Sequence, residues 1–186
     1  MKGFSLKSKN IYDVEYWEGR NFSEHYYWMA QQFIDFFEPT KMIDVGCGKG
    51  YFVHAFEFYD VSSIGYDVSV EAISHPYELA KGKLYHSDQL DRDKKQADLV
   101  ICFDVFEHIP IEEMDSFTEK VLMKGTKNFL FSICVFGDPN FERDSTHKTK
   151  RTKAWWVNYF NDKGLISIET PLDFLEHNQI LLFRRE

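Results

Sequence analysis

Apolar residues recur along this chain at two spacings, one helical and one strand-like, and the switches between them mark its elements. Tyr26, Met29/Ala30, Phe33/Ile34 and Phe37 recur at helical spacing, with Ser23 placed to cap, Glu24 in the first turn and Pro39 beyond the end. Met42, Ile43 and Val45 read as a short buried strand, followed by Gly46, Gly48 and Gly50 and by a helix with the stripe Tyr51, Phe52, Ala55, Phe56 and Tyr59. A second strand, Ser62–Asp67, leads to a short helix capped by Ser69 that Pro76 interrupts. A third spans residues 83–86. The continuous apolar run Ala97–Phe103 is what a central parallel strand covered on both faces requires. Pro110 and Glu112/Glu113 open a helix with the stripe Met114, Phe117 and Val121, and Gly125 follows its end. A fifth strand is expected over 128–134, a helix over 154–162, and strands over 165–169 and 179–184.

Strands therefore alternate with helices until the last two, which predicts an α/β fold around a mostly parallel sheet with one antiparallel strand near the edge. No internal repeat or linker divides residues 1–186. A single domain is expected, with an N-terminal aromatic segment and helix (1–38), a core (40–134), a long polar loop (135–153) and a C-terminal helix with two strands (154–186). Structureless loops of that length in compact domains usually carry function.

Composition narrows the classes of partner. The formal net charge of −8 disfavours broad binding to nucleic acid or to an anionic membrane. No apolar run is long enough to span a bilayer, and the first residues lack a hydrophobic signal region. The three cysteines, Cys47, Cys102 and Cys134, are far apart with no Cys-x-x-Cys, as expected of a reduced, cytoplasmic protein without structural zinc. With 18 phenylalanines and 10 tyrosines, an aromatic-lined pocket is easily built.

The strand–glycine turn–helix at residues 41–52 is a general device for holding a nucleotide-like ligand at the carboxyl end of a parallel sheet. Its spacing is Gly-x-Gly-x-Gly, not the Gly-x-Gly-x-x-Gly of dinucleotide folds. Asp44 at the strand tip would repel a pyrophosphate but attract the sulfonium and ammonium of S-adenosylmethionine. Asp67, about 20 residues beyond the glycines at the end of the second strand, is placed to accept hydrogen bonds from both hydroxyls of a ribose. Asp88, with Gln89 second, stands where an acceptor for the adenine amine is needed. The aromatic N-terminal segment reads most simply as packing on the sheet edge; alternatively Tyr12, Tyr16, Trp17 or Arg20 folds over the ligand.

Taken together, Ile43-Asp-Val-Gly-Cys-Gly-Lys-Gly50, Gly65-Tyr-Asp67, Ser87-Asp88 and Asp98-Leu-Val-Ile-Cys-Phe-Asp-Val-Phe-Glu-His108 resemble the class I S-adenosylmethionine-dependent methyltransferases over about residues 40–185. The resemblance implies a Rossmann-like three-layer sandwich with a seven-stranded sheet whose last strand is antiparallel. It implies that Asp44, Gly46, Cys47 and Gly48 surround the methionine part of the donor and that Asp67 holds the ribose. Val68 would lie beside the adenine, Asp88 or Gln89 would meet its amine, and Phe103 would line the sulfonium. The product would be S-adenosylhomocysteine. The stretch Asp144-Ser-Thr-His147 before Trp155-Trp156 looks like a subgroup that often acts on sugars or secondary metabolites, although that subgroup usually has proline where Ser145 stands.

For the acceptor, a small molecule or sugar hydroxyl or amine is expected, with His147 the first candidate general base and His108 the second, because an imidazole titrates near neutrality. Asp104 and Glu107 follow a strand tip and could orient an acceptor. Asp104-x-x-Glu107-His108 with His147 is also similar to the metal-binding pattern of methyltransferases acting on the 3′-terminal 2′-hydroxyl of small RNAs, with Asp104 in place of their first glutamate. Glu-His after the fourth strand is common in metal-free members, so no metal is expected. The basic run Arg143, Lys148, Lys150, Arg151 and Lys153 reads as a solvated loop or as the receiver of an anionic acceptor, and an RNA- or protein-modifying enzyme or a non-catalytic cofactor-binding module remain the alternatives.

Overall fold

The computed structural model describes residues 12–169 and 179–186. The beginning of the N-terminal segment and the connection between the last two strands, both part of the expectations above, lie outside the described residues. Seven strands form one sheet in the order β3-β2-β1-β4-β5-β7-β6. They are β1 (Lys41–Val45), β2 (Ser62–Asp67), β3 (Leu84–His86), β4 (Ala97–Phe103), β5 (Gly125–Ser132), β6 (Ile166–Ser167) and β7 (Ile180–Arg184). β1 to β5 pair parallel, and β7 lies antiparallel between β5 and β6. This is the Rossmann-like sheet with one antiparallel strand next to the edge.

Neighbouring residues on each central strand point to opposite faces, and that alternation builds two cores. Ile43, Val45, Val100, Cys102, Phe129, Phe131 and Phe183 face Met114 and Val121 of α5 (Ile111–Leu122) and Trp156 and Phe160 of α6 (Lys153–Asp162). Met42, Leu99, Ile101, Leu130 and Leu182 face Ala30, Phe33 and Phe37 of α2 (His25–Phe37) and Phe52, Val53 and Phe56 of α3 (Tyr51–Phe58). Burying both faces of β4 is why that strand reads as an unbroken apolar run. Two short helices complete the order, α1 (Val14–Glu18) before α2 and α4 (Val70–Ser74) after β2.

Several boundaries differ from the expectation for local reasons. Helix α2 starts at His25 without a side-chain cap, because Ser23 Oγ accepts from the His25 backbone N–H and not from one deeper in the turn. Strand β5 starts at Gly125, opposite Ala97, and stops at Ser132, where its antiparallel partner begins at Ile180. Strand β6 is only two residues long. Helix α6 starts one residue earlier than expected, capped by Thr152 Oγ1, which accepts from Trp155 N at 3.2 Å.

Candidate functional site

Parallel pairing brings the carboxyl ends of β1, β2, β3 and β4 to one edge of the sheet, and a cavity of about 750 Å³ opens there. Asp44, Gly46, Cys47, Gly48, Asp67, Val68, Asp88, Phe103 and His108 all line it. Gln89 is exposed and does not, and neither does His147.

The glycine turn needs its glycines. Gly46 and Gly48 have φ of 89° and 53°, the left-handed region that residues with a Cβ avoid. A Cβ on Gly48 would stand 2.5 Å from the Trp17 ring, and one on Gly46 would collide with Val105. Asp67 stitches the turn to β2. One carboxylate oxygen accepts from Gly48 N and the other from Ser69 N, each at 2.7 Å. Burial raises the Asp67 carboxyl, and these two bonds oppose the rise. Each oxygen keeps a further lone pair, so a ribose diol can still be accepted.

Asp44 is the electrostatic feature of the donor side. It is buried in the cavity wall, and burial, reinforced by the nearby Asp67 carboxylate, holds it well above the usual carboxylate range. A cation beside it would offset that burial and favour the ionised form. The sulfonium and ammonium of S-adenosylmethionine supply such charge, and a phosphate does not. Phe103 adds an aromatic wall, held edge-on against Phe52 with ring centres 5.1 Å apart. Asp88 is paired with His86 Nδ1 at 2.9 Å.

Tyr12, Tyr16, Trp17 and Arg20 line the cavity too, so the N-terminal segment covers the ligand side of the sheet. Trp17 Nε1 donates to Ser69 Oγ at 3.0 Å, Lys49 Nζ donates to Trp17 O at 3.1 Å, and Tyr51 Oη donates to Arg20 O at 2.6 Å. Each bond joins the cover to the glycine turn or the strand ends beneath it. Sequence reasoning favoured the plainer packing role; the concentration of Tyr, Trp and Arg over residues 12–20 was the available signal.

The other side of the site is built from segments far apart in the chain. Asp104 leaves β4 with φ 55° and accepts from Ser132 Oγ at 2.7 Å. Glu107 follows on a 3₁₀ turn and is 1% exposed. One of its oxygens accepts from Cys134 N at 2.9 Å, and the other, Oε2, is buried without a partner. Burial, with the Asp104 carboxylate second, pushes the Glu107 carboxyl up to about 8. The loop after β5 is anchored over this turn, because Lys148 N and Thr149 N both donate to Glu107 O, at 2.7 and 3.0 Å. That anchoring sets His147 against His108, ring centres 4.9 Å apart. Thr146 Oγ1 bridges Asp144 and His108 Nδ1, the latter at 3.0 Å. His147 has a side chain 6% exposed, with Nε2 3.7 Å from Asp144 and Nδ1 buried without a partner. Burial, aided by His147, lowers the His108 imidazole, so it is neutral near pH 7.

Glu107, His108 and His147 thus each offer a ligand atom, all within 4.8 Å of one another. A carboxylate oxygen with two imidazole nitrogens is a donor set suited to a divalent transition ion. Two of the three residues carry a buried polar atom without a partner, which is costly unless something fills the gap. The residues present fit a metal, against the expectation of none.

Residues 20–181 match the family model described as a methyltransferase domain. The small RNA 2′-O-methyltransferase of Rattus norvegicus is 26% identical over an alignment of 152 positions that covers 66% of this chain and 37% of that protein. The chain thus spans little more than a third of that relative's length. Among solved structures, the magnesium protoporphyrin IX methyltransferase of Synechocystis PCC 6803 with bound S-adenosylhomocysteine superposes with a TM-score of 0.68. It is 18% identical, covering 88% of this chain and 83% of its own. The methyltransferase domain of bacterial-CtHen1-CN does so at 0.60 and 18% identity, covering 88% of this chain and all of its own. Among the described residues, no helix is long and apolar enough to cross a membrane.

Proposed function

The chain belongs to the methyltransferase-domain family, and from that premise we propose that it methylates a ribose hydroxyl at the end of a single-stranded RNA. The donor is S-adenosylmethionine. Asp44, Gly46, Cys47 and Gly48 receive its methionine part, and Asp67 its ribose. Val68 and Asp88 receive the adenine, and Phe103 walls the sulfonium. The acceptor oxygen displaces S-adenosylhomocysteine in line: a C–O bond forms, the C–S bond breaks, and the hydroxyl proton passes to solvent water. For such a reaction the protein's main task is positioning, which can lower the barrier by several kcal/mol.

The observation that carries this reading is the trio Glu107, His108 and His147, with Glu107 Oε2 and His147 Nδ1 buried and unpartnered. These residues would hold a divalent metal ion at the acceptor side. Such an ion supplies Lewis-acid charge that eases loss of a proton from a hydroxyl held beside it. His147 is then a ligand, not the base expected from its loop position. His108, neutral and facing the cavity, is a ligand with access to the acceptor. The name of the rat relative is consistent with a ribose 2′-hydroxyl as the methylated group. Three free, buried thiols suit a reducing, cytoplasmic compartment.

A second reading, a small-molecule or sugar hydroxyl, is favoured by the net charge of −8. Transfer of labelled methyl in the presence of Mn²⁺ separates the two. The acceptors are a single-stranded RNA ending in ribose, the same RNA ending in 2′-deoxyribose, and a panel of nucleotide-linked sugars. Label in the ribose-ended RNA alone is expected. Label in the sugars and in neither RNA would transfer the assignment to the second reading.

A further inference from the structure

A second, smaller cleft of about 250 Å³ lies outside the donor cavity, lined by Phe136, Phe141, Lys150, Arg151, Thr152 and Trp155. Its lining comes from the loop after β5 and the first turn of α6, and the loop closes where Phe136 N donates to Arg151 O at 3.1 Å. Phe136 meets Phe141 at 85° with ring centres 5.5 Å apart, and at 68% exposure most of its ring surface is open to solvent. Exposing a phenylalanine face to water without a partner is unfavourable. The Arg151 guanidinium lies 5.3 Å from the centre of the Trp155 ring, and Lys150 Nζ lies 5.4 Å from that of Phe141. Lys150 also pairs with Glu142 at 3.0 Å.

The charge of this segment opposes that of the molecule. Residues 143–153 hold five cations and one carboxylate in a chain whose net charge is −8. An open aromatic face beside guanidinium and ammonium groups fits a ligand with a flat ring and an adjacent anion. A nucleotide of a single strand has both; a duplex does not present its base faces. The cleft is also close to the acceptor trio. His147 and Lys150 are three positions apart, which is at most about 11 Å of extended chain.

We propose that this cleft binds an unpaired nucleotide of the RNA upstream of the methylated end, its base stacked on Phe136 and its phosphate neutralised by Arg151 and Lys150. The inference rests on the RNA-acceptor reading and adds a subsite that fixes how the strand enters. It also reconciles an acidic protein with an anionic substrate, since five basic residues are gathered in one segment that also carries His147.

The test is fluorescence anisotropy of a labelled single-stranded oligoribonucleotide with the full chain, S-adenosylhomocysteine and Mn²⁺ present. Phe136→Ala is expected to weaken binding about 5- to 100-fold, as loss of one stacked base does, while Phe136→Tyr binds like the parent. Arg151→Gln is expected to reduce the slope of log K against log salt by about 0.7, one phosphate contact on a single strand. Phe136 is largely exposed, so its substitutions leave the fold intact. Equal affinity of Phe136→Ala and the parent, or no binding by the parent, would overturn the proposal. Preference for an acidic peptide over the oligonucleotide would do the same. Methyl transfer to the same oligomer is measured in parallel; binding that depends on Phe136 without transfer would remove the RNA-acceptor reading and leave the cleft standing.

Discussion

The donor side and the acceptor side of the site satisfy their polar groups in different ways. On the donor side, both oxygens of Asp67 are occupied by backbone N–H groups of the glycine turn and the following loop, and the cover is bonded down through Trp17, Lys49 and Tyr51. On the acceptor side, Glu107 Oε2 and His147 Nδ1 are buried and lack partners. The first is held in place by the protein's own hydrogen bonds. The second is a set of donors held together by the loop after β5 and left electrostatically incomplete. The difference predicts that binding of the methyl donor and reactivity toward the acceptor can be altered separately.

The largest expected effects break one side and spare the other. His147→Ala should lower kcat by about 10²–10⁴-fold, the range for losing an acid–base or metal-activating group, while affinity for S-adenosylhomocysteine changes less than twofold. Asp67→Ala should do the reverse and abolish measurable donor binding. Calorimetry with S-adenosylhomocysteine and single-turnover methyl transfer read the two. Loss of donor affinity in His147→Ala would remove the separation.

A medium effect follows from the raised carboxyl of Glu107, at about 8 in the folded chain. A carboxyl whose folded pKa lies above its unfolded value holds its proton longer when folded. Stability of the metal-free chain is therefore fully present below the unfolded value and falls as pH rises toward about 8. Glu107→Gln removes the titration and keeps an acceptor for Cys134 N. Thermal unfolding in chelator should show the variant and parent nearly equal at pH 5, and the variant more stable by about 1–3 kcal/mol at pH 9. A parent whose stability rises between those pH values relative to the variant would contradict the account. The smallest effect is expected of Trp17→Leu, which loses the bond to Ser69. Donor affinity should fall about threefold to tenfold, the worth of one hydrogen bond, with kcat kept.

The same division explains what could be read in advance. The donor side depends on local grammar: a strand tip, glycines at positive φ, and a carboxylate at the end of the next strand. That Asp44, Gly46, Gly48 and Asp67 meet at one cavity was legible because spacing along the chain fixes spacing in space once the sheet is parallel. Gln89 was not separable from Asp88 by spacing, and one residue of 3₁₀ turn turns it outward. The acceptor side depends on contacts between residues about 40 apart, such as the bonds from Lys148 and Thr149 to Glu107 O. No periodicity announces these. Residues 135–152 form the loop expected over 135–153, but that Phe141 and Thr149 are buried, and that His147 faces inward, is set by tertiary packing alone. The expectation of no metal followed from how common Glu-His is after a fourth strand, and a Mn²⁺ titration tests it.

The most direct test of the incomplete acceptor side is a calorimetric titration with Mn²⁺ of the parent and of Glu107→Gln, both saturated with S-adenosylhomocysteine. The account predicts one ion bound per parent chain, binding weakened at least about tenfold in the variant, the scale of losing a metal-supporting contact, and unchanged donor affinity in both. No saturable Mn²⁺ binding by the parent, or equal binding by the two, would contradict it.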